Sequence, residues 1–308
     1  MGHHHHHPEL KGKKLILSII LNSAITIAQV LGGIMAGSLA LLSDALHNFS
    51  DIVALLVSYI ADRLTKRKFT TKQTFGFKRA EIIAAAINAS TLLLIAGLLC
   101  QEAIKRIANP SQIDPLPVII LAALSIVING LCVLLLKSEA DSNLNIRSAY
   151  LHLFSDMLTS IAVMAGGIAM YYFNIFWLDS LLSILVAIYL VWSSWGLLIQ
   201  TLKVLMQFTP DHLSVAEIEK EILMNEKIKN VHHVHLWQLN DHDIHFEAHL
   251  DFYSDHKLSE ISPVIKKIAS QLDKKFHIHH VILQSEIGVD DSKDLVVQSC
   301  QNHQHHRH

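Results

Sequence analysis

Cysteine is scarce in this chain, with three in 308 residues. Cys100 and Cys132 sit inside apolar runs and Cys300 lies in a polar tail, so neither a disulfide framework nor a CxxC metal knuckle can be assembled. An excess of one charge is missing too. Lys and Arg number 25 against 27 Asp and Glu, and a net charge of −2 gives no basic surface for nucleic acid. There is no HExxH, the helical signature of zinc hydrolases. The first apolar run is long enough to span, and no small-residue cleavage site precedes a soluble mature chain, so no cleavable signal is expected. Histidine is plentiful at both ends yet nearly vanishes between: residues 8–208 contain only His47 and His152.

What is present is apolar sequence, unevenly placed. Hydrophobic residues make up 51% of the chain. Residues 15–205 are long apolar runs broken by short polar ones, and the composition shifts near Gln207–Pro210. The expected organisation is a His-rich segment over 1–14, a membrane domain over 15–205, a soluble domain over 209–290 and a His-containing tail over 291–308. The opening MGHHHHH reads equally as an added tag or a native metal-gathering tail, whereas the closing NHQHHRH resembles no common tag. A helix crossing about 30 Å of hydrocarbon needs roughly 20 apolar residues. Six segments qualify, near 15–36, 38–62, 80–104, 116–137, 148–173 and 177–203. Gly-Gly at 32–33 and 166–167 suits close helix approach.

Basic residues set the orientation. Lys11, Lys13 and Lys14 precede span one, and Arg63, Lys66, Arg67, Lys68, Lys72, Lys78 and Arg79 lie between spans two and three. The connections between spans one and two and between five and six have none. Both termini are expected to be cytoplasmic.

Spans two and five carry HNFSD (47–51) and HLFSD (152–156). Positions i and i+4 share one helix face, one turn apart. His47 with Asp51, and His152 with Asp156, can each converge on a point, and two imidazoles with two carboxylates make a tetrahedral shell for a borderline cation such as Zn²⁺. At 1.5 Å per residue the first pair lies about 14–20 Å below the outer end of its span, and the second about 6–12 Å above the inner end of its own. In a core of about 30 Å these depths nearly coincide. Ionisable groups at such depth are costly and usually functional. Hydrogen bonding between helices or a proton path is the blander reading of either pair alone. Asp44, seven residues before Asp51, shares its face and is a candidate to steady His47 or to act as a relay group. Asn22, Thr26, Gln29 and Asn129 read as interhelical hydrogen-bonding groups, and Glu102 and Asp179 as residues near span ends, in snorkelling or capping roles. Because metal requires neutral His and ionised Asp, such a site exchanges metal for protons.

Beyond FTPDH the pattern changes. Apolar positions at helical spacing over 214–225, strands over 231–239 and 244–252, a helix near 259–275 and a strand near 279–287 give the order αββαβ, which predicts a small ferredoxin-like open sheet. In the second strand His245, Glu247, His249 and Asp251 face away from Ile244, Phe246, Ala248, Leu250 and Phe252. Eleven histidines fall between 212 and 280; His233 and His235 share a strand face and His249 lies on the polar face of the next, so a second metal site is expected here. The fold class is thus an all-α six-helix transmembrane domain plus an α+β cytoplasmic domain.

The stretches GSLALLSDALHNFSD, FGFKRAEIIAAAINA, AYLHLFSD, FTPDHLSVAEIE, VHHVHLWQL and HHVILQSE resemble the cation diffusion facilitator family of zinc/cadmium–proton antiporters over about 15–288. The resemblance implies a homodimer with docked cytoplasmic domains and a transport site of His47, Asp51, His152 and Asp156, with His47 favouring zinc. By motif position it implies a cytoplasmic zinc site of His235, His249, His279 and Glu286. The short KSEADSN connection lacks the His-rich insert of animal organellar members, which implies a bacterial-type carrier in the plasma membrane. The function expected is Zn²⁺ or Cd²⁺ export against protons, with Zn²⁺ as substrate and as a structural or regulatory cytoplasmic ion, no prosthetic group and no enzyme activity. The rivals are the same fold carrying Mn²⁺, Fe²⁺ or Co²⁺, a non-transporting metal sensor, and an intramembrane metalloenzyme. Four protein ligands would close a zinc shell against the water that such an enzyme needs.

Overall fold

The computed structural model describes residues 13–65, 69–109, 111–140, 144–240 and 243–297. The N-terminal histidine run, the basic triplet 66–68, residues 241–242 and the C-terminal histidine-containing segment from 298 lie outside the described residues. Two units form: residues 13–65 with 84–199 make one, and residues 69–83 with 200–297 make the other.

Among the described residues, six long helices make up the first part of the chain: α1 (Lys13–Ala36), α2 (Leu39–Thr65), α3 (Ala80–Ala108), α4 (Pro115–Ala140), α5 (Leu144–Phe173) and α6 (Trp177–Leu205). Among the described residues five are long and apolar enough to cross a membrane, and α2 is not one of them. Its sequence shows why: Asp44, Asp51, Asp62 and Arg63 interrupt its apolar run. The α1–α2 turn closes on Gly37, whose φ of 70° is a left-handed conformation that glycine adopts at no steric cost. Gly33 and Gly167 mark close approaches, because a Cβ on Gly33 would lie 3.1 Å from the Leu42 backbone nitrogen and one on Gly167 3.0 Å from Ile119. Ala36, Ala40, Leu41, Val118, Ala122, Val163 and Met170 form a buried seam joining α1, α2, α4 and α5.

The second unit contains α7 (Val215–Leu223), β1 (Ile228–Gln238), β2 (Ile244–Phe252), α8 (Leu258–Phe276) and β3 (His280–Glu286). The sheet has the order β1-β2-β3, antiparallel between β1 and β2 and parallel between β2 and β3. The parallel step is possible because α8 provides the crossover. Ile218 and Ile222 of α7, with Ile268 and Leu272 of α8, pack on Phe246, Ala248 and Leu250, so both helices serve the apolar face of β2. The polar face of β2 is covered as well, since His245 and Asp251 are only 5% and 8% exposed. Phe75 lies 5.6 Å from the His245 ring, and Lys293 reaches Asp251 at 3.1 Å. The 69–79 connection and the segment after β3 therefore lie over this face.

Candidate metal centres

Helical periodicity brings the two sequence pairs of the first unit into a ring. His47 Nδ1 is 3.8 Å from Asp51 Oδ2 and its Nε2 is 3.9 Å from Asp156 Oδ1. His152 Nε2 is 3.3 Å from Asp51 Oδ2 and 3.6 Å from Asp156 Oδ2. Nitrogen and oxygen alternate around the ring, with α2 and α5 each supplying one of either. The imidazoles meet edge to face at 6.0 Å, and Tyr189 of α6 sits edge-on to His47 at 5.8 Å. Both Asp156 oxygens, Asp51 Oδ2 and His47 Nδ1 are buried with no hydrogen-bond partner. Buried carboxylate oxygens without donors are costly unless a cation answers them. The ring is more open at one side: His152 and Asp51 side chains are 42% and 33% exposed, against 11% and 1% for His47 and Asp156.

The closed side is hydrogen-bonded. Asp44, one turn before His47, accepts from Gln29 Nε2 of α1 at 3.0 Å, from the Thr159 hydroxyl at 2.8 Å and from the Ser160 hydroxyl at 3.2 Å. Ser160 and Ser125 share a 2.9 Å bond to α4, and Asn129 donates to Ser125 at 3.4 Å. Thr26, expected to bridge helices, turns its hydroxyl back to the Asn22 carbonyl instead. Asp179 of α6 caps α2: it accepts the Leu39 N–H at 2.7 Å, the Ala40 N–H at 3.3 Å and the Ser38 hydroxyl at 2.5 Å. Glu102 accepts from Arg106, whose guanidinium also donates to the Gly37 carbonyl at 2.7 Å.

A second group of metal-ligating atoms lies in the second unit, where one atom each from His232, His249, Glu286 and Asp291 fall within 4.8 Å of one another. The structure thus brings His249 and Glu286 together, 2.8 Å apart, but groups them with His232 and Asp291. His279 is turned outward to Asp273 at 2.7 Å, and His235 is exposed, its ring 5.1 Å from that of His233. A β-bulge causes the difference. His232 pairs with His249 and His235 with Glu247, so two residues of β1 oppose Ala248 alone. His233 takes a φ of 53° to make the bulge, and strict alternation fails there. His232 is fully buried, with Nε2 3.3 Å from both Glu286 and Asp291. Burial holds the His249 imidazole below its usual value, with Glu286 opposing and His233 adding to the effect, which favours the neutral form a metal needs. Hydrogen bonding to Lys293 holds the Asp291 carboxyl below its ordinary value.

Comparison with known proteins agrees with both halves of this architecture. Residues 15–206 match the cation efflux transmembrane domain, and residues 210–287 match the cytoplasmic domain of cation efflux proteins, a dimerisation domain. The chain is 35% identical over 293 residues to the metal cation efflux system protein CzcD of Cupriavidus metallidurans, covering 95% of this chain and 92% of that protein. It is 35% identical over 315 residues to the cadmium, cobalt and zinc/H(+)-K(+) antiporter of Bacillus subtilis, covering all of both. Identity to the zinc transporter ZitB of Pectobacterium atrosepticum is 33% over 311 residues, covering 100% and 94%.

Proposed function

Because this chain belongs to the cation efflux family, whose members are integral membrane transporters and not enzymes, we propose that it exports Zn²⁺ in exchange for protons through the ring of His47, Asp51, His152 and Asp156. The observation that carries this reading is the alternation of imidazole and carboxylate at 3.3–3.9 Å on two helices, with the buried Asp156 oxygens lacking donors. Two imidazoles favour Zn²⁺ over the oxygen-preferring Mn²⁺. Cd²⁺ is the natural second cargo, and Co²⁺ and Fe²⁺ belong in any test of selectivity.

The residues take distinct parts. Asp51 and His152, at the open side, receive the cation; His47 and Asp156 complete the shell. Binding needs both imidazoles neutral and both carboxylates ionised, so the entering ion displaces protons from the same atoms. Protons arriving from the opposite side would discharge the metal by occupying those lone pairs. Asp44 holds α2 against α1 and α5 and so keeps His47 aimed at Asp156.

Family membership, the matched dimerisation domain and the αββαβ order support a homodimer through ferredoxin-like domains. The lysine and arginine distribution supports cytoplasmic termini, and the bacterial relatives support the bacterial plasma (inner) membrane. In the second unit His232, His249, Glu286 and Asp291 fit a structural or regulatory Zn²⁺, because their ligand atoms converge and His249 Nδ1 and Glu286 Oε2 are buried without hydrogen bonds. That ion would neutralise the carboxylates and tie β1, β2 and β3 to the segment after β3.

Antiport is tested in proteoliposomes loaded with a Zn²⁺-sensitive dye. An imposed pH gradient of the right sign should accelerate Zn²⁺ movement and an inverted one should slow it. Zn²⁺ flux indifferent to the gradient would overturn proton exchange.

A further inference from the structure

The centre in the second unit already has a cation beside it. Lys293 Nζ lies 2.5 Å from Asp291 Oδ1, 3.1 Å from Asp251 Oδ1, 3.5 Å from His232 Nε2 and 3.8 Å from Glu286 Oε2. Three of those partners, Asp291, His232 and Glu286, are among the four groups that would hold a metal.

The position of Lys293 is fixed by backbone. The bulge at His233 leaves main-chain donors of β1 unpaired with β2, and the segment after β3 answers them. The His233 N–H donates to the Asp294 carbonyl at 3.2 Å and the Val234 N–H to the Leu295 carbonyl at 2.9 Å. The Leu295 side chain packs against the apolar core. Residues 291–297 thus form a strap whose anchoring at 294–295 delivers the lysine to the carboxylates. The matched cytoplasmic domain ends at residue 287, so this strap lies beyond it.

We propose that Lys293 is an internal competitor for the metal ion at this centre, and that its ammonium sets the concentration at which the centre fills. The inference rests on reading His232, His249, Glu286 and Asp291 as metal ligands. A divalent ion among those atoms and an ammonium a few ångströms away repel strongly in a partly buried site. Only one of them can be answered by Glu286 and Asp291 at a time. Metal entry therefore expels the side chain of Lys293 toward solvent, while Asp291 stays as a ligand. Competition of this kind weakens apparent affinity without altering any ligand. The coupling is reciprocal: whatever metal does to the lysine, the lysine does to the metal.

The test uses the full chain in detergent, with His47→Ala and Asp156→Ala disabling the intramembrane ring. Zn²⁺ affinity is measured by competition with a chromogenic chelator. Lys293→Gln should tighten binding about tenfold, while Lys293→Arg should stay near the parent. In the parent, acylation of Lys293 read by mass spectrometry should speed up when Zn²⁺ is added, with exposed Lys266 as the internal reference. Unchanged or weaker affinity in Lys293→Gln, or acylation unaffected by Zn²⁺, overturns the competitor role. A distinct failure is possible. If the ring-disabled chain binds no Zn²⁺ that Glu286→Gln with Asp291→Asn abolishes, the metal reading of the centre falls, and the competitor role with it.

Discussion

Thr159 donates a 2.8 Å hydrogen bond to Asp44, joining α5 to α2 one turn away from the ring on its closed side. With Gln29 and Ser160 as further donors, Asp44 is surrounded by groups that need an acceptor. Asp44→Asn keeps the shape but puts an amide N–H against donors. It should cost about 1–3 kcal/mol of stability and slow Zn²⁺ transport about tenfold. Thr159→Val should lose part of the rate, and Thr159→Ser should restore it. Thermal melting in detergent and initial fluxes in proteoliposomes check both. Parent-like flux in Asp44→Asn would leave Asp44 without a positioning role.

Asp179 holds the first turn of α2 through two backbone N–H groups. Asp179→Ala leaves them unanswered where the helix begins, at a cost of about 0.5–2 kcal/mol. The melting temperature should fall. Because the cap lies eight residues before His47, Zn²⁺ affinity should change far less than stability.

The C-terminal unit should lose stability on mild acidification. Burial, with neighbouring His280 and Lys78, holds the His245 imidazole below its ordinary value of 6.5, against the opposing pull of Asp243 and Glu247. A depressed folded value means that the fold prefers the neutral ring. This contribution is complete above pH 6.5 and is lost as pH falls through the folded value. Melting followed between pH 7.5 and 5.5 should show the decline, and His245→Gln should flatten it. An identical slope in the variant would assign the decline to other groups.

His47→Asp replaces one imidazole by a third carboxylate. Oxygen-rich sites suit harder ions, so flux of Mn²⁺ relative to Zn²⁺ should rise. A cation panel in proteoliposomes reads the ratio, and an unchanged ratio would free selectivity from His47.

The two centres were unequally legible in the sequence. His47, Asp51, His152 and Asp156 could be paired because the helix period is regular and nothing interrupts it between i and i+4. Their convergence followed from equal depth on two helices. The C-terminal centre depends on an irregularity. VHHVH does not announce that His233 will adopt a left-handed conformation, and without that bulge His232 would not pair with His249 to meet Glu286. Asp291 and Lys293 were hidden for another reason: they lie past the last strand, in sequence that reads as a polar tail. The burial of His245 was illegible too, since a strand pattern shows which face is polar but not that Phe75, far away in sequence, covers it.

The central claim is that the ring on α2 and α5 carries the ion, and Asp156 is its most buried member. The direct measurement is the initial Zn²⁺ flux of Asp156→Ala in proteoliposomes, beside the parent and with matched melting curves. The ring account predicts flux at the level of protein-free vesicles in a variant that still folds. A folded Asp156→Ala transporting Zn²⁺ at the parent rate would contradict it.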